Sequence, residues 1–281
     1  MKKNLLTLLL TSVSALSFAQ SSYPIDFKEN QMIRKEGNAD IHIYYPFATA
    51  GNAVADSINR RIFNTFNHFL PYDNKIVATS EKTLNLMLLD NAHRLRVLGE
   101  TKSIDAFPYT HYSAYELFGN DSIVSVFLQQ YFFAGGAHGM SDGVYLNVNP
   151  RSGQTIDIQS FVKDTATLMD LAAVAFCRQN HKPLDAMRLQ TGLFMELSDI
   201  PIPSQMGLSG KGLVLYYQPY EIAPYSSGDI SIIIPYNQLG DIVNEKLMKS
   251  VYSSKGYKSY NQKIKSVHRD DNRRAERRIK R

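Results

Sequence analysis

Residues 109–133, YTHYSAYELFGNDSIVSVFLQQYFF, decide how the rest of the sequence is interpreted. Two runs rich in aromatic and β-branched residues, which are typical of strands, flank Gly-Asn-Asp at 119–121, which favours a hairpin turn. In the second run Val124, Val126 and Leu128 share one face, and aromatic rings dominate the other. Because both faces are largely apolar, we predict that this strand lies in the centre of a sheet.

Apolar spacing on both sides of this hairpin predicts further strands and helices. The predicted strands are 40–45 (ended by Pro46), 109–118, 122–133, 144–148, 154–158, 213–217 and 229–234. The predicted helices are 52–70, one with an apolar stripe at 84–98 that is capped by Ser80-Glu81 and closed by Gly99, one capped by Asp164 that ends near Asn180, and a last one around 239–247. Since hairpin-like spacing dominates, we predict an α+β fold, a mostly antiparallel sheet with helices packed on it.

The first residues have the pattern of a secretory signal peptide. Lys2 and Lys3 precede an apolar stretch at 5–18, and Ala19 provides a small residue at the expected cleavage point. This stretch is shorter than the ~20 residues that cross a bilayer, which disfavours the alternative of an N-terminal anchor. We therefore expect export to the periplasm or the medium, and no membrane span in the mature chain.

Charge is distributed unevenly along the sequence. Residues 255–281 contain 11 Lys/Arg and 3 Asp/Glu, a balance of +8, whereas residues 20–254 contain 18 Lys/Arg and 23 Asp/Glu, a balance of −5. A basic segment of this kind binds polyanions through Coulomb attraction. Because the protein is predicted to be exported, we expect an anionic envelope polymer as its partner and not nucleic acid.

These observations predict four segments. They are a signal peptide at 1–19, an N-terminal α+β part at 20–120, a C-terminal α+β part at 121–252 and a basic, disordered tail at 253–281.

Motifs that identify common enzymes are absent from the sequence. It contains no H-E-x-x-H, no phosphate-binding Gly-rich loop, no G-x-S-x-G and no pair of cysteines, and its seven histidines show no spacing typical of metal ligands. The single cysteine, Cys177, lies in an apolar helical stretch, which predicts a buried structural thiol. We therefore predict no metal and no cofactor.

The string YFFAGGAHG at 131–139 is the first candidate site. Its glycines allow a tight turn and would expose the imidazole of His138, a candidate ligand or general base. The alternative, which we favour, is a turn at a strand end in which the imidazole hydrogen-bonds the backbone. The candidate binding residues here are Tyr131, Gly135, Gly136 and His138.

The string PYEIAPY at 219–225 is the second candidate site. Its two prolines stiffen a connection that carries Tyr220, Glu221 and Tyr225. Rigid aromatic side chains beside a carboxylate suit a recognition surface. A proline-kinked structural corner explains the same residues and is slightly favoured.

Several motifs in order resemble a family of extracytoplasmic domains of largely unknown function. They are GGAHG at 135–139, NPRSG at 149–153, IDIQSF at 156–161, YEIAPY at 220–225, Gly228 and IIIPY at 232–236. Such domains accompany the catalytic domain of the peptidoglycan deacetylase PdaC and form the outer, lysozyme-binding domain of the anti-sigma factor RsiV. The resemblance covers roughly 122–247 and includes neither the deacetylase domain nor the membrane and cytoplasmic parts of the anti-sigma factor.

The resemblance implies an accessory or sensor domain. It favours a non-enzymatic envelope protein that recognises a lysozyme-like protein or a cell-wall glycan. The main alternative is a hydrolase of an envelope polymer, with His138 as general base and Glu221 or Asp142 as its partner. A structural subunit of a larger envelope complex is a third possibility.

Overall fold

The computed structural model describes residues 25–37, 39–69, 75–102, 108–134 and 137–252. The predicted signal peptide and tail lie outside these residues. The strands are β1 Phe27–Glu36, β2 Ala39–Ala48, β3 Tyr109–Gly119, β4 Val124–Phe133, β5 Met140–Val148, β6 Gln205–Leu208, β7 Gly212–Tyr217 and β8 Ile230–Pro235. The helices are α1 Ala53–Phe66, α2 Glu81–Lys102, α3 Thr165–Gln179, α4 Arg188–Thr191, α5 Tyr236–Leu239 and α6 Glu245–Tyr252. The fold class is α+β, as predicted.

Strands β1 to β5 form one sheet in the order of the chain. Neighbours pair antiparallel except β2 and β3, which are parallel and are connected through α1 and α2. Strand β4 lies between β3 and β5, which confirms its predicted central position. Both helices pack against the sheet, and the face that they cover carries the fully buried Ile41, Ile43 and Leu128.

Strands β6, β7 and β8 form a second, antiparallel sheet that packs against α3. Helix α3 begins where predicted, because the Asp164 carboxylate accepts a hydrogen bond from the Thr167 amide at 3.0 Å. It buries Leu168 and Cys177 in a second hydrophobic core. Burial raises the pKa of the Cys177 thiol, as expected of a structural cysteine.

Several predicted strand and helix ends were wrong: α1 ends at Phe66 and not at residue 70, β5 begins at Met140 and not at residue 144, and two elements continue past their predicted ends. Strand β2 continues through Pro46 to Ala48. Strand β3 pairs with β2 only at residues 40–44, so the missing amide of Pro46 removes no ladder hydrogen bond on that side. Helix α2 continues past Gly99 to Lys102, because a glycine weakens a helix without ending it.

Two other predicted elements were also wrong. Residues 154–158 form no strand, and the only β-bridge there joins Val148 to Thr155. The last helix is divided into α5, a 3-10 turn at Gly240–Ile242, and α6. The division falls at Gly240, whose φ of 44° lies in the left-handed region that glycine adopts without steric cost.

The two sheets meet at the open face of β4 and β5. The Ser125 hydroxyl donates to the Asn147 side-chain oxygen, and the Asn147 amide donates to the Met206 carbonyl at 2.9 Å. The Leu208 amide donates to the Ser125 hydroxyl at 2.9 Å. Gly207 packs so closely on the Tyr145 ring that a β-carbon would overlap it. The junction is therefore both hydrogen-bonded and tightly packed.

The boundary predicted between an N-terminal part at 20–120 and a C-terminal part at 121–252 stays a prediction. The structure places strands from both sides of it, β3 and β4, next to each other in the first sheet.

None of the helices in the described ranges is long and apolar enough to cross a membrane.

Candidate functional site

The two candidate strings, 131–139 and 219–225, lie side by side at one end of the first sheet. The Tyr225 hydroxyl donates a hydrogen bond to the Gly139 carbonyl, and His138 Nδ1 lies 2.9 Å from the same oxygen. A carbonyl only accepts, so Nδ1 of His138 carries the proton. The His138 and Tyr225 rings stack with centroids 3.9 Å apart and planes 24° apart. One backbone oxygen thus fixes both rings.

Further tyrosines extend this stack into what we call the aromatic surface: Tyr109, Tyr131, His138, Tyr220 and Tyr225. The Tyr109 and Tyr131 rings stack with centroids 5.5 Å apart, and those of Tyr220 and Tyr225 lie 5.7 Å apart. Burial raises the pKa of Tyr109, and its hydrogen bond with Tyr131 adds to the rise. Burial also raises the pKa of Tyr225, with smaller contributions from Tyr131 and Tyr220. These phenols therefore stay neutral at physiological pH.

The loop that carries Tyr220 is fixed to the first sheet by Gln218. Its side-chain oxygen accepts from the Gly143 amide at 3.0 Å, and its side-chain nitrogen donates to the Gly143 carbonyl at 2.5 Å. The Glu221 carboxylate accepts from the Gln218 amide at 2.8 Å, and Ile222 is fully buried. Tyr220 has a φ of 71°, which is uncommon for a side chain of its size, and is 51% exposed. The loop thus holds its tyrosine toward solvent in a strained conformation.

Gly139 is required by the close approach of Tyr131. A β-carbon at Gly139 would overlap the hydroxyl end of Tyr131 and lie 2.8 Å from the Phe132 carbonyl. The glycine therefore allows the Tyr131 ring to cover this turn. Gly135 and Gly136, the other predicted glycines, lie outside the described residues.

The pair required for the hydrolase alternative is not formed. Asp142 contacts His68, with 3.3 Å between Oδ2 and Nε2, and Glu221 accepts from the Gln218 backbone. Within the described ranges no hydrogen bond or ion pair joins His138 to a carboxylate. The same part of the chain contains no group of three side chains that is suited to hold a metal ion.

Sequence reasoning missed Tyr109 and Gln218. Tyr109 joins the surface because its strand pairs with β4, where Tyr109 lies opposite Phe133 and diagonal to Tyr131. The hairpin prediction did not contain this register, because a β-bulge between Glu116 and Phe118 shifts the pairing by one residue. A regular ladder from the turn that the structure shows would put Tyr109 and Tyr131 on opposite faces. No local pattern indicates that Gln218 reaches β5, 75 residues earlier in the sequence.

A buried hydroxyl without a hydrogen-bond partner lies between the two sheets. Tyr216 is fully buried against Phe127, with ring centroids 4.9 Å apart, and its hydroxyl has no partner among the described residues. A β-carbon at Gly143 would come within 2.5 Å of this hydroxyl. Burial raises the pKa of Tyr216, and the charges of Asp229 and Asp142 add to the rise.

Removing this hydroxyl is expected to stabilise the protein. Tyr216→Phe should raise the free energy of unfolding by about 1 kcal/mol, because an unpaired buried polar group is unfavourable. Tyr217→Phe is the matched control, since the Tyr217 hydroxyl donates to the Pro201 carbonyl at 2.8 Å. It should lower the free energy of unfolding by about 1 kcal/mol. Denaturant unfolding measures both, and equal effects of the same sign would contradict the assignment.

The fold and site define an α+β protein with an exposed aromatic surface at the junction of two sheets. Residues 161–237 match a family model described as a protein of unknown function, DUF3298. This segment includes α3, the second sheet and the loop that carries Tyr220 and Tyr225. The match supports the resemblance to a domain family of unknown function, whereas the narrower likeness to PdaC and RsiV stays a proposal.

Two solved structures have similar folds. A DUF3298 family member from Bacteroides fragilis matches with a TM-score of 0.61 and 16% identity, covering 84% of this chain and 100% of that one. A DUF3298 family protein from Pseudomonas aeruginosa matches with a TM-score of 0.56 and 20% identity, covering 80% of this chain and 96% of that one. At these identities the likeness shows the fold alone. No curated protein matches the sequence significantly.

Proposed function

We propose that this protein is a non-enzymatic, exported envelope protein that binds a partner through the aromatic surface. The observation that carries the proposal is the fixed cluster of phenol and imidazole rings around the Gly139 carbonyl. Rings held in place lose little conformational entropy on binding and contribute large contact areas, which is why tyrosines are common among interface anchors. The arrangement suits recognition, in the manner suggested by the likeness to PdaC and RsiV.

Charge supports a basic protein as the partner. Residues 20–254 carry a net charge of −5, and the charges of three carboxylates, Asp229, Asp142 and Glu221, add to the rise that burial causes in the pKa of Tyr216. Opposite charges speed encounter and help to select partners, whereas buried aromatic anchors supply most of the affinity. A lysozyme-like protein has the required chemistry.

A cell-wall glycan is the other partner that fits. Sugars stack on aromatic rings. The chain has no tryptophan, so its 17 tyrosines would provide these rings. The basic segment at 253–281 would add an attraction for anionic envelope polymers that salt weakens.

Truncating an anchor of the aromatic surface is expected to weaken binding. Tyr220→Ala should cost about 2 kcal/mol, roughly a 30-fold loss of affinity for lysozyme or for soluble peptidoglycan fragments. Tyr252→Ala is the matched control, because Tyr252 is 62% exposed on α6 and does not belong to the surface. It should change affinity by less than ~1 kcal/mol.

Calorimetry at low salt measures these affinities with the chain that begins at Gln20. Absence of binding to both ligands at high micromolar protein would reject the proposed partners. Binding that Tyr220→Ala and Tyr252→Ala weaken equally would reject the aromatic surface as the site. Turnover of either ligand by the protein would reject the non-enzymatic role.

A further inference from the structure

Strand β1 forms one edge of the first sheet and has a free side. Among the described residues it pairs only with β2, in a continuous register from Phe27 to Glu36. An edge strand presents a row of main-chain amides and carbonyls that can pair with a strand of another molecule. With 10 residues, β1 is longer than the typical strand of about five or six residues. It is therefore a long template for one more strand.

The ladder with β2 shows which main-chain groups point to the free side. In an antiparallel ladder each residue directs its amide and its carbonyl to the same neighbouring strand, and successive residues alternate. Where the ladder continues, the Thr49 amide donates to the Asp26 carbonyl at 3.0 Å, so the even-numbered residues of β1 bond with β2. The odd-numbered residues therefore direct these groups to the free side. The Ile33 carbonyl fits this assignment, since it accepts from the Arg34 guanidinium at 2.6 Å and keeps a second lone pair for another donor.

A second copy of β1 fits this side in a register set by charge. A two-fold axis perpendicular to the sheet makes the two copies of β1 antiparallel, and hydrogen bonding then requires odd-numbered residues to lie opposite odd-numbered ones. With Met32 on the axis, Lys28 lies opposite Glu36 of the second copy, and Glu29 lies opposite Lys35 of the second copy. Because the axis repeats both contacts, four pairs of opposite charge form.

The neighbouring registers lack this match. With Gln31 on the axis, Lys28 lies opposite Arg34 of the second copy, and with Ile33 on the axis the residues of β1 form no pair of opposite charge. Opposite charges directly across a sheet stabilise the pairing, and like charges destabilise it. A charged edge usually disfavours pairing with other strands, but the charges of β1 favour one partner, a second copy of the same strand.

Helix α2 lies beside the same edge. The Asn85 side-chain oxygen accepts from the Arg34 guanidinium, and His93 Nδ1 lies 2.8 Å from the Glu36 carboxylate, so one side of α2 follows β1. Leu89 is one turn from both Asn85 and His93 and is 44% exposed. A large apolar side chain is thus exposed on the side of α2 that follows the free edge.

The two-fold axis would bring the two copies of α2 into contact. Helix α2 contacts both β1 and β2. A helix centred above the gap between these strands lies about 5 Å from the axis, because strands in a sheet are about 4.8 Å apart. Its copy then lies about 10 Å away, which is the spacing of packed helices. This contact would cover Leu89 of both copies.

We propose that two copies of this chain form a two-fold dimer through β1, with Met32 on the axis and the two copies of α2 side by side. The joined sheet has ten strands, five from each copy, and about eight main-chain hydrogen bonds connect the copies. The residues that carry the inference lie on β1 and α2, and none of them belongs to the aromatic surface. The inference therefore does not depend on the proposed function.

Analytical ultracentrifugation of the chain that begins at Gln20 measures the association. We expect a reversible equilibrium between monomer and dimer. Glu29→Lys should raise the dissociation constant at least about tenfold, because two pairs of like charge replace two pairs of opposite charge. Asp185→Lys is the matched control, since it makes the same change of charge at an exposed position outside β1 and α2. It should leave the dissociation constant unchanged.

A mixture of two variants separates the proposed register from a general effect of charge. Lys35→Glu should also weaken the dimer, because it places two carboxylates opposite each other at both contacts with Glu29. Mixing Glu29→Lys with Lys35→Glu restores opposite charges at these contacts. The mixture should therefore form a heterodimer that neither variant forms alone. This result also shows that both variants are folded.

A cysteine at position 32 tests the position of the axis. Met32→Cys should form a disulfide between copies under mild oxidation, because a pair of residues that is not hydrogen-bonded holds its Cα atoms about 4.5 Å apart. Lys28→Cys is the control, since its two copies lie about 27 Å apart along the paired strands and cannot be bridged. The native Cys177 is buried and should not interfere. A non-reducing gel measures both variants.

Any of three results would overturn the proposal. The first is a chain that stays monomeric up to high micromolar concentration. The second is a dimer that Glu29→Lys and Asp185→Lys affect equally, or a mixture of Glu29→Lys with Lys35→Glu that associates no better than either variant alone. The third is a dimer in which Met32→Cys is linked no faster than Lys28→Cys.

Discussion

Replacing Asn147 with alanine is expected to lower the free energy of unfolding by about 3 kcal/mol. Asn147 is buried between the two sheets, where its oxygen accepts from the Ser125 hydroxyl and its nitrogen donates to the Met206 carbonyl. The variant leaves both groups without these partners in a region that water does not reach. An unpaired buried group costs about 1–3 kcal/mol, and here two are created together.

Denaturant unfolding checks this expectation against Asn237→Ala, which truncates an exposed asparagine. The control should change stability by less than ~0.5 kcal/mol. Two separate unfolding transitions in Asn147→Ala would show in addition that the network couples the sheets. A loss under ~1 kcal/mol would mean that the groups around Asn147 find other partners.

The elements that were predicted from the sequence are those with strong local patterns. The alternation at 40–45 and the apolar stripe at 52–70 correspond to β2 and α1, and the Asp164 cap fixes the start of α3. Each pattern arises because one face of a single helix or strand is buried, or because one side chain caps a helix. The signal therefore lies within a short stretch of sequence.

Strand β1 was not predicted because its sequence, FKENQMIRKE, has few apolar residues. It is an edge strand that pairs only with β2. Charged residues such as Lys28 and Lys35 are common on edge strands, because they disfavour pairing of the free edge with an unrelated strand of another molecule. Its structure depends on the ladder with β2, from Phe27 opposite Ala48 to Glu36 opposite Ala39. That pairing is a tertiary property with little local signal.

The candidate site was predicted in two parts that the sequence could not join. Local composition selected the segments that contain His138 and Tyr225. The hydrogen bond that joins these segments links Tyr225 to Gly139, 86 residues earlier in the sequence. Their contact depends on how the second sheet packs on β5, through Gln218 on Gly143 and through Gly207 on Tyr145. Packing between sheets depends on shape at many positions at once, and a single sequence does not display it.

At the junction between the two sheets, a single methyl group added at Gly207 should disrupt the packing. A β-carbon at Gly207 would overlap Cδ1 and Cε1 of the Tyr145 ring and lie 2.7 Å from its Cγ. These atoms are close to the Tyr145 backbone, so the ring cannot move aside by a small rotation. The ring is also confined by Phe127, at a centroid distance of 4.9 Å. Gly207→Ala should therefore force the second sheet away from β5.

Gly207→Ala is expected to lower the free energy of unfolding by about 3 kcal/mol, at the upper end of the usual cost of overpacking. Tyr145→Ala alone should cost about 3 kcal/mol because it leaves a cavity. In the double variant the new methyl group occupies space that the ring has left, so it should be at least as stable as Tyr145→Ala. Denaturant unfolding of the four proteins measures a coupling energy of about 3 kcal/mol. Additive losses would show that the contact between Gly207 and Tyr145 does not determine how the sheets pack.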